Sequence, residues 1–222
     1  MCERSDSKIE NYSKTYGSDN LIISVSGIIG VGKSTLSAKL GKLYNADVYY
    51  EPVENNEYLD KFYNDMKKYS FPMQIYLLNH RFRQHQQMIW STGNVIQDRS
   101  IYEDVIFAKM LREDGLMDEL DFQTYRSLFQ NMSNFLHRPD VIVYLDVKPE
   151  IALERVIKRA RGCETGITLE YLQSLQKGYE DWLEDVCPRI PVIRVDWNIF
   201  RDTEDVVKLI NDKLKNRKGL IV

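Results

Sequence analysis

With three cysteines and three histidines in 222 residues, the chain offers little material for metal-thiolate or metal-imidazole chemistry. Cys2, Cys163 and Cys187 are odd in number and share no ligand spacing, which suits a reducing compartment, so a cytoplasmic protein is expected. His80, His85 and His137 fit neither a metal site nor a triad, and packing is the expected role of His85, four residues beyond Arg81. Positive charge is not in surplus either. A net charge of −3 supplies no drive for counterion release, so a nucleic-acid partner is not expected. No apolar run approaches the roughly 20 residues of a membrane-spanning helix, so no membrane association is expected. Repeats, low-complexity tracts and Pro/Gly linkers are lacking, which leaves one domain over 21–222. The first stretch, "MCERSDSKIENYSKTYGSDN" (1–20), has no apolar signal core. It also carries Glu3, Asp6, Glu10 and Asp19, which a mitochondrial transit peptide avoids, so it reads as a disordered extension.

What is present is a regular alternation. Short apolar runs, "LIISVS" (21–26), "DVYYEPV" (47–53), "NVIQD" (94–98), "VIVYLDV" (141–147) and "VIRVD" (192–196), read as strands. Between them lie segments of 3.6-residue periodicity, such as Leu36, Leu40 and Leu43. Continuously apolar strands alternating with helices predict a parallel sheet covered on both faces. Ligands of such sheets bind at the carboxyl ends of the strands, so chemistry is sought there.

After the first strand comes Gly27-Ile28-Ile29-Gly30-Val31-Gly32-Lys33-Ser34, which fits G-x-x-x-x-G-K-[ST], with an amphipathic helix behind it. Glycines let backbone N–H groups close around phosphate oxygens at the positive end of a helix dipole. Lys33 would neutralise β- and γ-phosphates, and Ser34 would ligate Mg²⁺; Thr35 completes the set. Such a loop specifies triphosphate binding and leaves the fate of the phosphoryl group open.

The second apolar run ends in Glu51-Pro52-Val53, which leaves a carboxylate where a triphosphate would lie. Accepting a proton from an attacking hydroxyl is a task that would justify it there. Asp98-Arg99-Ser100 ends the third, with Asp98 suited to Mg²⁺ or its water and Arg99 to bridging Glu51 and a transferring phosphoryl group. Further on, Arg155, Lys158 and Arg159 share a helix face, with Arg161 just beyond. Next to them lies a Gly-bounded segment (Gly162 to Gly166), so a lid at about 159–167 is expected to close over phosphates. In a helix over about 70–90, Gln74 and Arg81 share a face with Leu78 between them. A glutamine amide can read a nucleobase edge, although the periodicity by itself fits an ordinary surface helix.

As an ordered set, "GIIGVGKST", "EPV", "FYND" with "FPMQIY", "DRSIYED" and "ERVIKRARGCE" resemble the deoxynucleoside kinase family over about residues 21–200. The resemblance implies a P-loop kinase fold: three layers, a central five-stranded parallel sheet, helices on both faces. It implies Glu51 as general base for the 5′-hydroxyl, Arg99 at the 5′ end, and Tyr63 with Glu164 on the sugar 3′-hydroxyl. Gln74 would read the base, Asp104 with Arg81 would set base preference, and Arg155, Arg159 and Arg161 would grip phosphates. "DWNIFR" (196–201) would lie near the donor base. Asn55-Asn56 stands where animal members carry a tryptophan, and D-R-S replaces their E-R-S. Both features look more like the bacterial-type deoxyadenosine/deoxyguanosine kinases, and a purine is favoured. A homodimer is implied by family likeness.

The expected reaction is therefore 5′-phosphorylation of a deoxynucleoside by Mg·ATP, with Lys33, Glu51 and Arg99 as the catalytic residues. A nucleoside monophosphate kinase of the thymidylate kinase type is the alternative, since it shares the loop and a D-R pair. It would need cations where Glu51 stands. A nucleotide-dependent switch has little use for a sugar clamp, and no Asn-Lys-x-Asp motif is present.

Overall fold

The structure is a computed structural model and describes residues 20–51, 56–160, 164 and 166–218. Residues 1–19, most of the expected N-terminal extension, lie outside the described residues, as do 161–163 and 165 within the expected lid. Five strands form one sheet: β1 (Ile22–Ser26), β2 (Ala46–Tyr49), β3 (Asn94–Asp98), β4 (Val141–Asp146) and β5 (Val192–Asp196). Their order is β2-β3-β1-β4-β5 and every pairing is parallel. Every residue of β1 is buried, whereas the edge strand β5 alternates buried and exposed positions. A central strand is covered on both faces, and an edge strand leaves one face in reach of water.

Around the sheet lie α1 (Lys33–Tyr44), α2 (Leu59–Asn64), α3 (Met66–Ile89), α4 (Asp104–Glu113), α5 (Glu119–Ser133), α6 (Pro149–Arg159), α7 (Leu169–Val186) and α8 (Thr203–Lys218). α1 and α8 pack against each other and the sheet, while α3, α4, α5 and α7 form a second packed group. This is the expected three-layer α/β arrangement. The chain leaves the carboxyl end of β1 toward β2 and β3 on one side, and returns to β4 on the other. That reversal opens a crevice outside the strand ends, where ligands bind in such sheets.

Two expected boundaries shift. β2 stops at Tyr49, short of the run to residue 53, because its partner β3 ends at Asp98 one residue past the Tyr49↔Gln97 pair. Glu51 therefore stands two residues beyond the strand. α3 begins at Met66 rather than near 70, because the Asp65 carboxylate accepts a bond from the Lys68 N–H (3.1 Å) and caps it. It continues through Pro72, its seventh residue, where the missing N–H costs the helix the one bond to the Lys68 carbonyl. α6 starts with Pro149 and ends at Ala160 in the left-handed conformation (φ 53°).

Candidate active site

The glycine loop runs from the end of β1 to the first turn of α1. Gly30 has φ 86°, and a Cβ there would meet the Ala152 carbonyl oxygen at 2.6 Å. Only glycine lets the loop pass this close to α6. The Lys33 ammonium is buried and donates to the carbonyls of Gly27 (3.1 Å) and Ile28 (2.9 Å). Burial, with Arg99 nearby, lowers its pKa to about 8. The Ser34 hydroxyl donates to Asp98 Oδ2 (2.5 Å), leaving Asp98 Oδ1 buried without a hydrogen-bond partner. Burial raises the Asp98 pKa. An orphan carboxylate oxygen beside a serine oxygen, at the mouth of a phosphate loop, fits a hard divalent cation that keeps water and phosphate as its other ligands. Among the described residues no group of three or more His, Cys, Asp or Glu gathers elsewhere as a metal site.

Opposite the loop, Glu51 is held by two guanidinium groups. Arg81 Nη2 donates to Glu51 Oε1 (2.6 Å), and Arg99 Nε lies 3.3 Å from the same oxygen. Arg81 also makes direct contact with Asp104, so α3, α4 and the segment after β2 meet at one guanidinium. Burial pushes the Glu51 pKa up, but Arg99, Arg81 and Lys33 outweigh it and bring it down to about 2. Burial also works against the charge on Arg99, and Tyr179, Glu51 and Glu103 overcome it, so its pKa is raised.

A cavity of about 550 Å³ lies between these groups. Of the residues expected at the site, Ile29, Gly30, Gly32, Lys33, Ser34, Thr35, Glu51, Tyr63, Gln74, Asp98, Arg155, Arg159 and Glu164 line it. Arg81, Arg99 and Asp104 stand behind its wall and reach it through Glu51. Gly27, Ile28 and Val31 shape the loop without lining the cavity. Gly166 backs onto Tyr63, where a Cβ would meet the Tyr63 carbonyl at 2.9 Å, so this glycine lets its segment pack against α2. Arg159 holds Glu164 with both carboxylate oxygens at 2.6 Å. Arg155 lines the cavity and is also anchored on its far side. Its Nη2 donates to the carbonyls of Trp197 and Asn198 (2.9 Å each), and its guanidinium lies over the Phe200 ring at 4.2 Å. It ties "DWNIFR" to α6, because backbone carbonyls within reach satisfy a half-buried guanidinium better than solvent does. Arg161 lies outside the described residues.

Sequence reasoning missed Glu103 and Tyr179. Both are fully buried, and both contact Arg99. Glu103 is the third residue of a capping box with Ser100, a signal legible in S-I-Y-E. Tyr179 sits on α7, 80 residues beyond Arg99, and no local pattern marks it.

A phosphate loop at the switch point of a parallel sheet and a carboxylate across the cavity define a P-loop phosphotransferase for a small hydroxyl-bearing acceptor. A family model described as deoxynucleoside kinase matches residues 23–217, and the chain belongs to that family. It is 51% identical over 196 residues to the deoxyadenosine kinase of Dictyostelium discoideum, covering 88% of this chain and 80% of the relative. It is 37% identical over 197 residues to the deoxyadenosine/deoxycytidine kinase of Bacillus subtilis (strain 168), covering 86% and 91%. A solved deoxyadenosine kinase from M. mycoides, with products dCMP and dCDP bound, matches with a TM-score of 0.79 at 35% identity. That match covers 88% of this chain and 100% of the other. The same enzyme with dATP bound gives 0.78.

Proposed function

We propose that this deoxynucleoside kinase transfers the γ-phosphoryl group of ATP to the 5′-hydroxyl of deoxyadenosine. The observation that carries the reading is Glu51: a carboxylate lining the cavity across from Lys33, held by two arginines and ionised at every working pH. A carboxylate of pKa about 2 is a weak base. In a loose phosphoryl-transfer transition state the attacking oxygen has gained little bond order, so orienting the hydroxyl matters more than removing its proton early. Glu51 accepts the hydroxyl's hydrogen bond and takes the proton as the new bond forms. Lys33, Arg99 and the Arg159 side of the lid stabilise charge on the transferring group, and lid closure keeps water from taking the hydroxyl's place. Ser34 and Asp98 would hold Mg²⁺, which neutralises charge on the phosphate oxygens when bound. A monophosphate acceptor would bring its own negative charge toward Glu51, which disfavours the nucleoside monophosphate kinase alternative.

The base preference rests on Gln74 in the cavity wall and Asp104 fixed to Arg81, seven residues further along α3. An adenine edge offers an amine donor beside a ring-nitrogen acceptor, which a glutamine amide matches on both counts. Asp104 stands behind the wall beside Arg81, so its negative charge favours that amine over the carbonyl of guanine or thymine through the field at the cavity wall and not by contact. Cytosine shares the amine edge and is expected second. The test is kcat/KM over the four deoxynucleosides with Mg·ATP. Deoxyadenosine is expected to lead, with deoxyguanosine and thymidine at least about tenfold lower, the scale of a mismatched hydrogen-bonding edge. A lead by either of those two overturns the preference. A cytoplasmic homodimer is the accompanying reading, supported by the resemblance and by the cysteine pattern. Sedimentation at micromolar concentration checks the assembly.

A further inference from the structure

Arg99 is held in an unusual way. Its backbone is left-handed, with φ 72°, a conformation that costs a non-glycine residue free energy unless its surroundings enforce it. Its N–H donates to the Val25 carbonyl (3.0 Å), which pins the main chain beside β1. Its guanidinium then faces two carboxylates: Glu51 at 3.3 Å from Nε and Glu103 at 3.5 Å from Nη1. With no intervening group, the closest approach would be to whichever carboxylate is more buried, and Glu103 is completely enclosed.

The hydroxyl of Tyr179 stands in the way of that collapse. It accepts from Arg99 Nη1 and donates to Glu103 Oε2 (2.7 Å). Burial raises the Tyr179 pKa well above its ordinary value, so the hydroxyl keeps its proton and the relay keeps its direction. The other oxygen of Glu103 is filled by Ser26 Oγ (2.6 Å), Ser100 N–H (2.9 Å) and Ser100 Oγ (3.3 Å). Ser26 immediately precedes the glycine loop, and Arg99 Nη2 donates to the Gly27 carbonyl (3.2 Å). Thus the network joins the start of the donor loop, the Asp98–Ser100 turn, α4's leading turn and α7 at one guanidinium. None of Ser26, Glu103 or Tyr179 lines the cavity, and the contact that joins Glu103 and Tyr179 to Glu51 is the Arg99 guanidinium.

We propose that Glu103 and Tyr179 are positioning residues for phosphoryl transfer, holding the Arg99 guanidinium between Glu51 and the start of the phosphate loop. This rests on Glu51 as the acceptor of the hydroxyl proton. Besides Arg99, the charged groups facing Glu51 are Arg81 from α3 and Lys33 from α1; Asp98 also faces Arg99. Loss of the Tyr179 hydroxyl lets Arg99 shift toward Glu103, leaving Glu51 less well held.

The test is Tyr179→Phe, which keeps the ring packed on Tyr144 and Trp182. With deoxyadenosine as acceptor, kcat is expected to fall about tenfold, since small displacements of a positioning group carry such costs. KM should stay within about twofold. The acid limb of the kcat profile should also move to higher pH than the parent's, because Glu51 loses one of the three cations that lower its pKa. On an Arg99→Lys background, Tyr179→Phe should cost less than about twofold, because the group it positions is gone. Parental kcat in Tyr179→Phe, or an equal loss on both backgrounds, overturns the proposal and leaves a packing role. If Tyr179→Phe does not fold, Glu103→Gln decides: parental kcat in that folded variant overturns it. Glu51→Gln is assayed alongside. Substantial turnover there removes the base assignment itself, an outcome distinct from failure of the positioning role.

Discussion

At the residue scale the site turns on Glu51 and its partners. Glu51→Gln keeps the shape and a hydrogen-bond acceptor but removes the charge, so kcat should fall by about 10²- to 10⁴-fold, the usual range for a lost general base. Nucleotide binding should persist, as read by calorimetric titration. Near-parental turnover would remove Glu51 from the mechanism. Asp98→Asn should leave the fold intact and raise the Mg²⁺ concentration needed for half-maximal rate, because the buried Oδ1 loses its negative charge. An unchanged Mg²⁺ requirement would place the cation elsewhere. The pattern E-P-V already pointed to Glu51, and D-R-S to Asp98 and Arg99. What it could not reveal is that two arginines converge on one oxygen of Glu51, since Arg81 lies 30 residues away on another element.

At the element scale, function depends on how closely the donor loop packs on α6 and how α3 is started. Gly30→Ala places a methyl 2.6 Å from the Ala152 carbonyl and 2.7 Å from Val156, at φ 86°. The loop must lift from α6, so nucleotide affinity should fall at least about tenfold together with a lower melting temperature. Affinity equal to the parent's would show that the loop tolerates the shift. Asp65→Ala removes the cap of α3 and should cost about 1 kcal/mol in urea unfolding, with little effect on the bound base, since Gln74 sits beyond the first two turns. Apolar runs located all five strands, and the 3.6-residue period located the helix bearing Gln74 and Arg81. The ends were less legible. β2 stops where its neighbour stops, and α3 starts where one aspartate reaches back, and neither event is written in periodicity.

At the scale of the whole molecule, acid stability depends on buried titratable groups. His85 is 2% exposed; its Nε2 accepts from the His137 N–H (2.7 Å), and its Nδ1 has no hydrogen-bond partner. Burial, with His137 nearby, lowers its pKa to about 4 from an ordinary 6.5. The unfolded chain then binds more protons between those values, so stability falls as pH drops through 6.5 toward 4. The loss should reach about 2 kcal/mol at pH 5 relative to pH 7.5. Glu51, lowered to about 2, adds to the loss only below its ordinary 4.5. Urea unfolding at the two pH values checks this, and His85→Gln should flatten the difference; an undiminished difference would assign it to other groups. The sequence alone determined the class of the protein. Its strand-helix alternation, its phosphate loop, its strand-end carboxylate and its cation cluster after the fourth strand are local patterns, legible from the spacing and charge of neighbouring residues. Only the tertiary structure decided which partners hold each charge around the cavity. Arg155 turns to the carbonyls of Trp197 and Asn198, Arg81 and Asp104 withdraw behind the cavity wall, and Tyr179 crosses from α7 to part Arg99 from Glu103. A buried charge is placed by the partners that repay its desolvation, and those partners are brought together by the fold rather than by their spacing along the chain.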